Sequence, residues 1–210
     1  TKKNADYSDL LSKMSGGGEA TSQIVSLFSV IVGILIVCET ANAISSLAEA
    51  EKKGILDVEL ASGASRRRAV AAQAVAGAVE SAILAAAGAA TLAVAVGLSL
   101  DWEHGREIAW KTVTQWPACA CLAGVGCLLY ALSRKLTAGV WALVGWSFAL
   151  SWFGKLLELP EWASKTTLLG WSFSPSETER LPQALGLLAV GLAASAFATA
   201  ACRRRDILAS

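Results

Sequence analysis

Residues 69–100 read AVAAQAVAGAVESAILAAAGAATLAVAVGLSL, and Arg66, Arg67 and Arg68 stand directly before them. A single carboxylate, Glu80, interrupts an otherwise uncharged run. As an α-helix rising ~1.5 Å per residue the run measures about 48 Å, well beyond the ~30 Å of a bilayer's hydrocarbon. The surplus predicts that its first two or three turns project into water. Period-two alternation is missing, and Ala and Gly dominate, as in closely packed membrane helices rather than strands. Small side chains let backbones approach, so this helix is expected at the centre of a bundle.

Working outward, four further runs are long and apolar enough to cross: residues 20–39, 113–133, 137–157 and 182–202. Pro117 falls in the first turn of the third span, where a missing N–H costs little. Thr178 or Glu179 is placed to cap the last span. The fold class read from this pattern is all-α, a polytopic transmembrane helix bundle of about five spans. Composition agrees: 54% of the 210 residues are hydrophobic and 17% charged, with a mean hydropathy of +0.51. Soluble domains carry nearer a quarter charged residues. A net charge of +1 argues against a nucleic-acid partner, which calls for a basic surplus.

Basic clusters set the expected orientation. Arg66–Arg68 precede the second span, Arg134 and Lys135 join the third to the fourth, and Arg203–Arg205 end the fifth. Five crossings put these clusters on one side, which the positive-inside rule makes cytoplasmic, with the N-terminus outside and the C-terminus inside. Residues 1–19 then form an outer loop, 40–68 a cytoplasmic loop and 203–210 a cytoplasmic tail. Residues 158–181, too short and polar to span, read as an outer interfacial or re-entrant segment. Trp102, Trp110, Trp116, Trp152, Trp162 and Trp171 are expected as an aromatic belt at the outer face.

Chemistry-bearing motifs are sparse. The five cysteines form no C-x-x-C pair and His104 is the only histidine, so the thiols read as small fillers between helices rather than metal ligands. The run Gly16-Gly17-Gly18 leads to Glu19, which is no phosphate-binding loop. No catalytic constellation appears, and no cofactor is expected on this chain. Glu39 and Glu80 are the carboxylates within spans, and such groups often mark a pathway. Residues 79–100 fit the hydrocarbon best, which places Glu80 near the cytoplasmic edge; Lys155 falls near the outer boundary, where it snorkels.

The loop of residues 40–68 carries the most information. Glu49 and Glu51 lead to Gly54; Leu56 and Leu60 share a helical face; Ser65 and Arg66 follow a second glycine, Gly63. A short amphipathic helix flanked by acids and arginines suits docking into a groove on a soluble partner. This segment resembles the coupling loop of bacterial type-2 ABC exporter permeases, specifically the polyketide or tetronasin antibiotic exporters. Gly54, Asp57, Leu60, Ala61, Ser65 and Arg66 match that family's spacing; Ile55 and Gly63 depart, where the family commonly has Arg and Pro. Gln115-Trp116-Pro117-Ala118, Trp141-Ala142-Leu143, Leu159-Pro160-Glu161-Trp162 and Arg203-Arg204-Arg205-Asp206-Ile207 resemble further family segments in the same order, over roughly residues 20–208.

The resemblance implies a plasma-membrane permease that exports a hydrophobic or amphipathic small molecule. It implies an ABC-type ATPase dimer as partner, holding ATP and magnesium, and coupling through Glu49, Glu51, Gly54, Asp57, Leu60, Ser65 and Arg66. The family unit has six spans, so five spans and Thr1 in place of Met read as the second of two permease halves. The rival reading, from a different class, is a non-transporting membrane subunit that scaffolds a complex.

Overall fold

The structure is a computed structural model and describes residues 20–55, 63, 65–153, 167 and 180–208. Among the described residues six α-helices follow in order: α1 (Ala20–Lys52), α2 (Arg66–Ser99), α3 (Trp102–Val113), α4 (Trp116–Leu132), α5 (Ala138–Phe153) and α6 (Leu181–Leu208). A 3₁₀ turn over Arg134–Thr137 joins α4 to α5. The bundle is all-α, as the absence of alternation foretold. Four of its helical stretches are long and apolar enough to cross a membrane, with Trp102–Leu132 counted as one stretch. The remaining expected span, 137–157, is described only to Phe153, a helix of 16 residues. Residues 1–19 and 158–166, Asp57, Leu60 and both candidate caps of α6 lie outside the described residues.

α1 does not end at Glu39 but continues to Lys52. Hydropathy reports the medium around a helix, not its backbone, and residues 40–52 are rich in helix-forming Ala, Glu, Leu and Lys. This extension buries Thr40, Ala41, Ala43, Ile44 and Leu47. Ile36, Val37 and Ile44 join Leu122 of α4 and Val140 of α5 in one core cluster. Leu47 joins Val70, Tyr130, Ala198 and Cys202 in a second, which ties α1 to α2, α4 and α6. Packing therefore holds helical what charge would have released as loop.

α1 and α2 run antiparallel. Arg66 meets Glu51 at 3.0 Å, Gln73 Nε2 donates to the Ala43 carbonyl at 2.6 Å, and Val32 lies against Gly88. Residues 101–112 carry no expected element, yet α3 forms over Trp102–Val113. Asp101 caps it, its Oδ1 accepting from the His104 N–H at 2.8 Å. α3 folds back along the last turns of α2: Trp102 covers Gly97, and Gly105 approaches the Ala93 carbonyl so closely that a Cβ would lie 2.7 Å from it. After a bend at Thr114 and Gln115, α4 continues down α2, with Ala123 against Gly77. The bend is keyed to α1, since a Cβ on Gly33 would collide with the Gln115 side chain.

The first turns of α2 are packed within the bundle: Val70 and Ala74 are buried with Tyr130 of α4 and with Ala198 and Cys202 of α6. At the other end, Ala93 and Gly97 lie against the charged α3. α6 likewise runs on to Leu208 instead of ending at Cys202.

Candidate functional site: the loop anchor and the groove between α2 and α6

Two places bring sequence-predicted residues or an accommodating surface together. The first is the end of the bundle where α1 hands over to α2. Glu51 Oε1 and Arg66 Nη1 form an ion pair whose side chains are 15% and 28% exposed, so solvent screens it less than a surface pair. Glu49 pairs with Lys53 at 3.3 Å, one turn along α1 and in open solvent. Gly54 follows with φ +72° and Gly63 with φ +94°. Nothing lies within 4 Å of a Cβ at either position, so backbone conformation, not space, calls for glycine there. Ser65 caps α2, its hydroxyl oxygen accepting from the Arg68 N–H at 3.3 Å.

Glu49, Glu51, Gly54, Ser65 and Arg66 are therefore gathered at one anchor, while Asp57 and Leu60 lie outside the described residues. The sequence reading missed Tyr130 here. Its buried hydroxyl faces the Glu51 carboxylate, and neither it nor Glu51 Oε2 completes a hydrogen bond. A tyrosine near the end of an apolar run reads as an ordinary interfacial residue, so no linear signal tied it to Glu51.

The second place is a groove of about 580 Å³ between α2 and α6. Ala71, Ala78 and Ala82 line one wall, Leu188 and Gly191 the other, and Trp116 closes one end. The few polar atoms are already engaged within the protein. Ser195 donates to the Gly191 carbonyl at 2.9 Å, Thr199 to Ala196 at 2.8 Å, and the Trp116 indole to Ala78 at 2.8 Å. Trp116 thus lines the groove: its N–H needs an acceptor, and the small side chains of α2 leave a carbonyl within reach. Below Trp116, α4 and α6 cross at Gly124 and Gly191, in near backbone contact. A cavity with no free donor or acceptor suits an apolar occupant.

Glu39 and Glu80 do not line this groove. Both are exposed and lie on the α1–α2 flank of the bundle. Cys119, Cys121, Cys127 and Cys202 are buried, Cys38 is half-buried, and none of the five is in a disulfide.

Long apolar helices and small-residue crossings define a multi-pass helical membrane protein. The chain matches, over residues 1–203, the family of the multidrug efflux system permease Rv1217c, C-terminal domain, and belongs to that family. It is an efflux permease of that kind. No curated protein matches it.

Proposed function

We propose that this chain is the transmembrane permease part of an ATP-driven exporter of the bacterial plasma membrane. Its substrate is a hydrophobic or amphipathic small molecule, antibiotic or drug-like, and its energy comes from a separate ABC-type ATPase dimer holding ATP and magnesium. A second permease half, on the same or another chain, completes the pathway. The observation that carries this reading is the groove between α2 and α6, apolar throughout and with its polar atoms engaged, in a chain of the efflux-permease family. Desolvating an apolar molecule there leaves no buried polar group unpaired.

The loop between α1 and α2 transmits the ATPase motion in this reading. The Glu51–Arg66 pair fixes where the loop leaves the bundle, and Leu60 provides the apolar anchor for the ATPase. Closure of the ATPase dimer then moves the anchor, and with it α1 and α2, as a rigid body.

The test reconstitutes the transporter with its ATPase and measures substrate-stimulated hydrolysis beside transport. Ala82→Phe fills the groove and should lower transport of a hydrophobic substrate at least tenfold while basal hydrolysis stays. Leu60→Asp should leave the protein in the membrane and uncouple hydrolysis from substrate, because an unpaired charge replaces an apolar anchor. Wild-type transport by both variants would refute the reading and favour the scaffold alternative.

A further inference from the structure

Glu39 and Glu80 sit at one depth on one flank. Glu80 follows Gln73 by two helical turns and Glu39 precedes Ala43 by one, so both share the faces joined by the Gln73–Ala43 hydrogen bond. The Val32–Gly88 contact above and the Glu51–Arg66 pair below bracket them in register. Both carboxylates are therefore level, about 20 Å in from Arg66 along the helix axes. At that depth α4, α5 and α6 are apolar and carry no charge. The exposed stripe of α1 continues from Glu39 through Asn42 and Ser46 to Glu49, so this flank carries polar side chains beside the exposed apolar Leu35 and Leu84.

Lipid does not satisfy such a flank, and the described residues supply no counter-charge at that depth. Among the described residues the basic side chains lie at the two ends: Lys52, Lys53, Arg66, Arg67, Arg68, Arg134 and Lys135 at one, Arg106, Lys111 and Arg180 at the other. Neither Glu39 nor Glu80 has a hydrogen-bond or ion-pair partner among the described residues. A second copy of this chain docked across the flank by two-fold symmetry would set the carboxylates against their own copies, doubling the negative charge.

We propose that this α1–α2 flank is an intramembrane interface for a non-identical transmembrane segment that presents an Arg or Lys level with Glu39 and Glu80, supplied by the companion permease half. The inference rests on the export reading only in naming the companion half; charge complementarity carries the rest. It distinguishes this face from the α2–α6 groove, which is neutral and left to substrate.

The experiment places photoreactive benzoylphenylalanine at Leu84, which is 39% exposed and one turn from Glu80, in the full transporter in native membranes. After irradiation the crosslinked peptide is identified by mass spectrometry. The expected product is a transmembrane segment of the companion half with Arg or Lys within one turn of the crosslinked residue. Glu39→Lys/Glu80→Lys should cut its yield at least tenfold, and changing the identified basic residue to Glu should restore it. The neutral Glu80→Gln guards against misfolding: it should keep the protein monodisperse and reduce the yield only a few-fold. Crosslinks to lipid alone, to a second copy of this chain or to a segment without a basic residue would overturn the proposal. So would labelling of Glu80→Cys by a water-soluble thiol reagent, which would mark an aqueous path. Because the crosslink reads assembly and not substrate movement, its loss with ATPase coupling intact refutes this inference alone.

Discussion

Adding one methyl group at Gly191 should pry two helices apart. An ideal Cβ there stands 2.8 Å from the Cys121 Cα and 3.0 Å from the Ala120 carbonyl oxygen. Both neighbours are backbone, so neither can swing away. Carbon–carbon contacts are comfortable near ~3.5–4.0 Å, so α4 and α6 must separate by roughly 1 Å. Overpacking of this kind costs about 1–3 kcal/mol, close to tenfold to a hundredfold in the folding equilibrium. Gly186→Ala is the matched control: it lies on the same helix with nothing within 4 Å of its Cβ. Helix propensity alone should there leave stability unchanged or raise it by up to about 1 kcal/mol. The assay is reversible unfolding in mixed micelles followed by helical circular dichroism, with the reaction rate of buried Cys121 as a local probe of separation. If Gly191→Ala is as stable as Gly186→Ala and Cys121 reacts no faster, the close crossing of α4 and α6 is wrong.

Three further outcomes follow from other contacts. Arg66→Ala should destabilise the loop anchor by about 1–3 kcal/mol, because Glu51 keeps a part-buried charge with no partner. Adding Glu51→Ala should recover much of that loss in a double-mutant cycle, and strict additivity would dismiss the pair. Ser65→Ala should cost about 1 kcal/mol of thermal stability through loss of the α2 cap, and an unchanged melting temperature would remove Ser65 from the anchor. In a cysteine-free background, His104→Cys should react with an impermeant thiol reagent on intact cells and Arg67→Cys only after permeabilisation. Labelling of both from one side would contradict their places at opposite ends of α2.

Much of this architecture was legible because a bilayer imposes a simple rule on composition. Residues 69–100 announced a helix through length, small side chains and the flanking arginines, and α2 spans Arg66–Ser99. Legibility failed wherever helix and hydrocarbon part company. Glu39 marks a change of polarity along α1 but no break in the backbone, since Ile44 and Leu47 hold the next turns against α2 and α4. Residues 101–112 fall between two expected spans, although Asp101 with Glu103 and a closing Lys111 spell a capped, dipole-matched helix. At the anchor, residue types and spacing pointed to Glu51 and Arg66. Tyr130 joins them only through the return of α4, which no local pattern encodes. Depth was the hardest quantity to read. Glu80 reads as a boundary residue from the length of its own helix, and only the register of α2 against α1 sets it level with Glu39.

The Gln115–Gly33 key gives α1 the mechanics of a lever. Its fulcrum is the point where the Gln115 carboxamide, buried and with one oxygen unpartnered, fills the notch that Gly33 leaves. Sliding along the axis is blocked by that fit, so α1 answers a push at Lys52 by tilting. The inner arm, from Gly33 to Glu51, is about 27 Å long and the outer arm, from Gly33 to Ala20, about 20 Å. A sideways displacement of 3 Å at the inner end, taken as an order-of-magnitude stroke, would swing the outer end by roughly 2 Å in the opposite direction. One rigid rod pinned at a glycine would thus carry a displacement from one end of the bundle to the other, with no break in its own hydrogen bonds.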